Sequence, residues 1–164
     1  MWNNLSERWQ DYFIKQLHLT ASMSKDENTQ VGALIIDTYD KVVVSSGWND
    51  LPRGVNHTKE RNSRPLKYQF TSHAEMSCLT NALRIGVNVK TKTMLVTLGC
   101  CPICMQSIIN SGVYELVTPN LDFEHISCGE HYQYSLDMAK ESGIVWNFDD
   151  KLKLGEIQWL KRKL

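Results

Sequence analysis

The sequence contains two short motifs whose side chains could bind a metal ion and move protons. His73 stands two residues before Glu75, and Cys101 stands three residues before Cys104. Two thiolates and one imidazole supply three zinc ligands and leave the fourth tetrahedral position to water. Zinc bound in this way activates that water near neutral pH, and a neighbouring carboxylate can carry its protons. Together the motifs predict a catalytic zinc site with Glu75 as the proton shuttle.

Each motif taken alone also has a simpler interpretation. His73 alone is typical of a helix cap or a core histidine, and Glu75 alone is typical of an acid favoured by a helix N-terminus. The cysteine pair alone could form a redox pair or a closed structural zinc site, although the structural site requires a fourth ligand. Cys100 is adjacent to the pair and poorly aimed for that role. The combination of both motifs in one chain favours the catalytic interpretation.

The elements that must position these motifs follow from the hydrophobic periodicity. Apolar residues with helical spacing predict a helix from Leu5 to about Met23, and the polar stretch Trp48 to Ser72 predicts a loop. Thr71 and Ser72 are the expected N-caps of the helix that carries Glu75. The remaining predicted elements are strands at 31–37, 41–47, 93–98, 114–118 and 144–148, and helices at 73–86, 101–112, 131–143 and 156–164.

The order of these elements predicts the fold class. Strands that alternate with helices after an opening hairpin indicate an α/β fold, an α-β-α sandwich with a five-stranded mixed sheet and helices on both faces. A chain of 164 residues without repeats or low-complexity segments is expected to form one domain, residues 1–164. Both metal-binding motifs then lie at the beginnings of helices, where the unpaired N–H groups favour thiolates.

Composition restricts the class of partner. Lysine plus arginine and aspartate plus glutamate both total 18, whereas proteins that bind polynucleotides usually carry a basic excess. We therefore expect a small-molecule nucleotide ligand and no nucleic-acid partner. The chain has no apolar run of ~20 residues and a polar opening segment, so we expect no membrane partner and a cytoplasmic protein. Five cysteines without an export signal favour a metal site over disulfides.

The chain resembles the cytidine-deaminase superfamily from about Trp9 to Asn147. Within it, the deoxycytidylate (dCMP) deaminase branch, including versions carried by bacteriophages, is most similar. The resemblance is carried by SKDENTQVGALIID (24–37), GWNDLPRGV (47–55), HAEMSCLTNALRIG (73–86) and TLGCCPICMQSIINSGV (97–113). It implies zinc ligands at His73, Cys101 and Cys104 and the proton shuttle at Glu75. A bacteriophage origin would imply the host cytoplasm as the location.

The resemblance also implies where the substrate binds. Asn49 is expected to hydrogen-bond the sugar, Ala74 to contact the substrate, and Phe123 to stack where relatives often have a tyrosine. The phosphate of a nucleotide monophosphate needs positively charged side chains to bind it, and Arg53 is the expected phosphate contact. Other basic candidates lie in the loop or near it, namely Lys25, Lys59, Arg61, Arg64 and Lys67.

This sequence departs from the family pattern at three positions: Cys100 replaces a proline, Ser77 replaces an asparagine, and Phe123 stands at the tyrosine position.

Regulation and assembly are further expectations from the resemblance. Relatives are often hexamers controlled by dCTP and dTTP, so we expect a homo-oligomer, with a hexamer favoured, and Mg²⁺ with dCTP as a candidate effector. Lys25 and Arg84 are the expected phosphate or allosteric residues, although a helix-end charge such as Arg84 is as often merely solvated. Some relatives bind a second zinc, but surface polar residues are the favoured interpretation of His125, Cys128 and His131.

The sequence leaves several functions open. The first is zinc-dependent hydrolytic deamination of dCMP to dUMP and ammonia, which supplies dUMP for thymidylate synthesis. A substrate modified at C5 is a close variant. Deamination of a base in nucleic acid is a second hypothesis, which the neutral charge disfavours. A non-catalytic, zinc-stabilised nucleotide-binding module is the third, and Glu75 counts against it.

Overall fold

The computed structural model describes residues 1–124 and 129–154. A five-stranded sheet forms the centre, in the order β2-β1-β3-β4-β5. Its strands are β1 (Gly32–Asp37), β2 (Val42–Trp48), β3 (Thr93–Val96), β4 (Glu115–Thr118) and β5 (Val145–Phe148). Strand β1 is antiparallel to both β2 and β3, whereas β3, β4 and β5 are parallel. The predicted mixed sheet is confirmed.

The helices of more than one turn agree with the sequence periodicity to within about two residues at each end. The α-helices are α1 (Glu7–Ala21), α2 (Lys67–Phe70), α3 (Ala74–Arg84), α4 (Pro102–Ser111) and α5 (Tyr132–Ser142). The four-residue α2 interrupts the segment that the sequence predicts as an unbroken loop. The predicted last helix, at 156–164, lies outside the described residues. None of the described helices is long and apolar enough to cross a bilayer.

Strand alternation divides the core into two layers. In β1, Ala33 and Ile35 pack with α3, α4 and α5, whereas Leu34 and Ile36 pack with α1 on the other face. Successive side chains of a strand point to opposite faces, so one buried strand serves both layers. Helices on both faces confirm the predicted α-β-α sandwich.

Close contact between β2 and α3 fixes the helix that carries one metal-binding motif. Gly47 has no side chain, and a Cβ there would lie 2.3 Å from the backbone nitrogen of Cys78. Ser45 Oγ donates to the Cys78 carbonyl at 2.7 Å, and Asn81 Nδ2 donates to the Ser46 carbonyl at 2.7 Å. These contacts hold α3 against the sheet and so position its N-terminus.

Candidate metal centre and its cavity

The two motifs occupy the N-termini of α3 and α4. His73 is the N-cap of α3 and Cys101 the N-cap of α4, both with extended backbone, and Pro102 begins α4. A proline at the first helical position loses no hydrogen bond. The prediction of Thr71 and Ser72 as caps is wrong, because the chain turns into the helix at His73, and Ser72 Oγ instead lies 3.2 Å from Ser77 Oγ.

The three predicted ligands lie together. His73 Nδ1 is 3.4 Å from Cys101 Sγ and 3.4 Å from Cys104 Sγ, and the three ligand atoms all lie within 4.8 Å of one another. Tetrahedral zinc with its usual bond lengths would hold nitrogen and sulfur about 3.6 Å apart. The donor set and its spacing therefore fit one zinc ion.

The protonation preferences of His73, Cys101 and Cys104 also favour binding of a metal cation. Hydrogen bonds from Cys104 and His73 lower the pKa of Cys101, and competition with Cys101, together with burial, raises the pKa of Cys104. The hydrogen bond with Cys101 raises the pKa of His73 to about 9. Cys101 therefore favours the thiolate form and His73 the protonated form, and a bound metal cation would displace the protons of this cluster. Buried Cys100 stays outside the cluster, with its Sγ 3.5 Å from the Cys101 carbonyl.

Glu75 lies beside the ligands in the first turn of α3. Its side chain is buried, and the charges of His73 and Cys101 both act on it. Burial raises the pKa of Glu75, the histidine lowers it, and the thiolate raises it further. A buried carboxylate next to a metal site but outside the ligand set is able to move protons, and the shuttle role of Glu75 stays a prediction.

A cavity opens over this cluster. His73, Ala74, Glu75 and Cys101 line one part of it, and the sequence-predicted Asn49 lines it as well. The Asn49 amide already accepts from the Val31 amide at 2.7 Å and donates to the Thr29 carbonyl at 2.9 Å. A sugar contact by Asn49 would therefore use its remaining N–H group, and that contact stays a prediction.

The other predicted substrate residues lie elsewhere in the described structure. Arg53 and Arg84 line a neighbouring groove with Asn81, not the cavity over the metal ligands. Phe123 is half exposed and meets Tyr132 edge-on at 6.0 Å between ring centroids. Lys25 is exposed and does not line the cavity.

The sequence does not predict that several further residues share this cavity, although it names Arg64 and Lys67 as basic candidates and Tyr68 as a residue that could stack on the base or sugar. Asp26, Tyr68 and His131 line the cavity, together with Arg64 and Lys67 from the loop. No local motif marks them, because they come from three separate chain segments that only the fold brings together. Of the three residues weighed for a second zinc and read instead as surface polar residues, His131 is described, and His125 and Cys128 lie outside the described residues.

Comparisons of sequence agree with this geometry. The model of the family described as "Cytidine and deoxycytidylate deaminase zinc-binding region" matches residues 7–119. An uncharacterized deaminase from the luxG 3′ region of Aliivibrio fischeri is 34% identical over 138 residues, covering 84% of this chain and 90% of that protein. The human deoxycytidylate deaminase is 33% identical over 115 residues, covering 66% of this chain and 63% of that protein. The chain thus matches less than two thirds of the human protein.

The comparison of folds gives the same picture. The crystal structure of a dCMP deaminase from the cyanophage S-TIM5, in complex with dCMP and dUMP, matches with a TM-score of 0.72 at 18% identity. The match covers 89% of this chain and 100% of that chain. At this identity the likeness establishes a shared fold.

Proposed function

Because the chain belongs to the cytidine and deoxycytidylate deaminase zinc-binding family, we propose that it converts dCMP to dUMP and ammonia and so supplies dUMP for thymidylate synthesis. One observation carries this proposal: His73 Nδ1 lies 3.4 Å from each of two cysteine sulfurs, with buried Glu75 beside them in one cavity. A closed structural zinc site has no use for such a carboxylate.

The proposed reaction breaks one C–N bond and forms one C–O bond. Zinc held by His73, Cys101 and Cys104 would supply Lewis-acid activation of a water molecule. Glu75 would move two protons in turn: the first from the attacking water to ring N3, and the second from the hydroxyl group then carried by C4 to the departing amino group. Water and dCMP thereby yield dUMP and ammonia, and Glu75 ends in its starting protonation state.

The choice of dCMP as substrate rests on the proteins that the chain resembles and on its formal charge. The human relative is a deoxycytidylate deaminase, and the cyanophage protein of the same fold is a dCMP deaminase crystallised with dCMP and dUMP. The balanced formal charge supports a mononucleotide over a polynucleotide. We propose Asn49 and Ala74 as substrate contacts because both line the cavity.

An ammonia-release assay tests this proposal. The zinc-loaded protein is given cytosine, deoxycytidine, dCMP, C5-modified dCMP, dCTP and a cytosine-containing oligonucleotide, each with and without dCTP and Mg²⁺. We expect the highest kcat/KM for dCMP. A preference for the oligonucleotide that falls steeply with salt would instead indicate a nucleic-acid deaminase. Zinc-loaded protein that releases no ammonia from any substrate would indicate a binding module.

Assembly, location and regulation remain proposals. We propose one deaminase domain over residues 1–164, a homo-oligomer with a hexamer favoured, a cytoplasmic location and dCTP with Mg²⁺ as effector. Arg53 and Arg84 share a groove beside α3, so that groove is our proposed place for effector phosphates. Light scattering with and without dCTP and Mg²⁺ measures both the oligomer size and its response.

A further inference from the structure

A buried ion pair lines the cavity at a place that the metal chemistry does not use. Lys67 Nζ lies 2.7 Å from Asp26 Oδ2, and both side chains are 7% exposed. The other carboxylate oxygen, Oδ1, accepts from the backbone amides of Asn28 and Thr29 at 2.9 and 3.1 Å. Both oxygens of Asp26 are therefore engaged, and the lysine head group is held in one place.

The lysine retains donors beyond this pair. An ammonium group has three N–H donors, and in the described part of the chain Lys67 Nζ has one hydrogen-bond partner, Asp26. Burial of a charged group is costly unless it is paired, and the remaining donors gain from meeting an acceptor in the cavity. A ligand oxygen would be such an acceptor.

A second cation shares an aromatic ring with this lysine. The Arg64 guanidinium and the Lys67 ammonium each lie 5.9 Å from the ring centroid of Tyr68, and all three residues line the cavity. The face of the Tyr68 ring attracts both cations and so keeps the two side chains near each other. Two positive groups therefore converge on one part of the cavity wall.

The charges of this wall favour a dianion. Asp26 neutralises Lys67, so Arg64 supplies a surplus positive charge, and the His131 ring lines the same cavity from the segment before α5. A neutral nucleoside has no anionic group to pair with these cations, whereas the phosphate of a nucleotide monophosphate carries about two negative charges.

We propose that Lys67, positioned by Asp26, and Arg64, held against Tyr68, bind the 5′-phosphate of the substrate, with His131 as a third contact. This inference rests on the proposed function and names the residues by which that site distinguishes a nucleotide from its nucleoside. The sequence names Arg64 and Lys67 only among several basic candidates and puts Arg53 first, whereas Arg53 lines the neighbouring groove and Arg64 and Lys67 line the cavity.

The test is a ratio measured on the zinc-loaded protein. The kcat/KM for dCMP divided by that for deoxycytidine is determined for wild type, Lys67→Met, Arg64→Gln and His131→Gln. A lost hydrogen bond to a charged group corresponds to about a ten- to hundredfold loss. We expect the ratio to fall by that factor in Lys67→Met and Arg64→Gln, mainly through KM for dCMP, and by less in His131→Gln.

Matched controls come from the same loop. Lys59 is exposed and does not line the cavity, so Lys59→Met should leave the ratio unchanged. Equal losses on both substrates in Lys67→Met would mean that the ion pair only holds the loop, and an unchanged ratio in both Lys67→Met and Arg64→Gln would place the phosphate elsewhere. Either result overturns the inference.

A binding measurement separates this inference from the proposed function. If wild type deaminates neither substrate, the proposed function fails, and calorimetric titration with dUMP and deoxyuridine still tests the phosphate contact. We expect wild type to bind dUMP more tightly than deoxyuridine, and Lys67→Met to lose most of that difference. Equal affinities of wild type for the two ligands would overturn the inference on their own.

Discussion

Two parts of the cavity wall are built in different ways. The metal wall, formed by His73, Glu75 and Cys101 and backed by the third ligand Cys104, stands on the first turns of two helices that pack on the central sheet. The loop wall, formed by Asp26, Arg64, Lys67, Tyr68 and His131, stands on connecting segments and one four-residue helix. A sheet and its helices give the metal wall its rigidity, whereas the loop wall depends on individual contacts such as the Lys67–Asp26 pair.

This difference corresponds to two tasks. Bond breaking demands fixed geometry, since small displacements of catalytic groups cost large factors in rate. Choosing among cytosine compounds demands variable surfaces, which loops supply at little cost to the fold. We therefore expect changes in the metal wall to abolish chemistry or metal binding, and changes in the loop wall to alter selectivity and local stability.

The largest expected effect is on turnover in the metal wall. Glu75→Gln keeps the size of the side chain but cannot accept a proton, so we expect kcat to fall by about 10⁴-fold with zinc content and thermal stability retained. Ammonia release and metal analysis on the same sample check this. Glu60→Gln, a change in the exposed loop, is the matched control and should keep full activity. Substantial turnover by Glu75→Gln would remove Glu75 from the mechanism.

The next effect couples the metal wall to folding. Cys104→Ser replaces a thiolate by a poor zinc ligand, so we expect loss of stoichiometric zinc and a fall of about 3 kcal/mol or more in the free energy of unfolding. Cys78→Ala, which removes a buried thiol outside the ligand set, should lose some stability but keep zinc. Normal zinc content in Cys104→Ser would show that the ligand assignment is wrong.

The two walls also differ in how far the sequence predicts them. His73 and Glu75 are two residues apart, and Cys101 and Cys104 are three apart, so local spacing alone reveals their chemistry. Asp26 and Lys67 are 41 residues apart, and neither has a distinctive neighbour pattern. The strands were predictable for a similar reason, since their β-branched runs are local, whereas α2 is too short for helical periodicity to mark it.

Breaking the ion pair should affect the loop wall alone. Asp26→Asn leaves the Lys67 ammonium buried without its partner, so we expect a loss of about 3 kcal/mol of stability with unchanged zinc content. The double variant Asp26→Asn/Lys67→Met, which removes both charges, should recover part of that loss. Urea unfolding and metal analysis check both variants. Zinc loss in Asp26→Asn would show that the two walls are not independent.

The same pair predicts an acid response. Burial alone would raise the pKa of Asp26, but hydrogen bonds from Lys67 and from the amides of Asn28 and Thr29 outweigh it and lower that pKa. The stabilisation is therefore complete above the ordinary carboxyl pKa of about 4 and is lost as pH falls through the lower folded-state value. Asp26→Asn should lack this part of the acid sensitivity, which urea midpoints between pH 5 and 3 would measure.

A smaller effect is expected where the two walls meet. Gly99 lines the cavity just before the cysteines, and a Cβ there would lie 2.5 Å from the Tyr132 ring. Gly99→Ala must displace that buried ring, so we expect a loss of about 1–3 kcal/mol of stability. The double variant Gly99→Ala/Tyr132→Leu should lose less than the sum of its single changes. Additive losses in thermal or urea unfolding would rule out the collision as the cause.

The smallest effect concerns a residue on the far face of the sheet, which belongs to neither wall. His18 lies on α1, and its Nε2 is 3.1 Å from the Leu152 carbonyl. Burial lowers the pKa of His18, and the hydrogen bond to Leu152 only partly opposes this. As pH falls below about 6.5, the unfolded chain therefore binds a proton that the folded protein does not, and stability decreases.

The variant His18→Gln isolates this titration. It should reduce by about 1 kcal/mol or less the stability difference between pH 7.5 and pH 5.5, because it removes one titrating group from the unfolded chain. Urea midpoints at the two pH values, with zinc in excess, measure the difference. Because α1 packs on the sheet face opposite α3 and α4, the zinc content and the ratio of activities on dCMP and deoxycytidine should stay at wild-type values. A changed activity ratio would mean that the sheet transmits strain from α1 to the cavity, and the two walls would then be parts of one coupled unit.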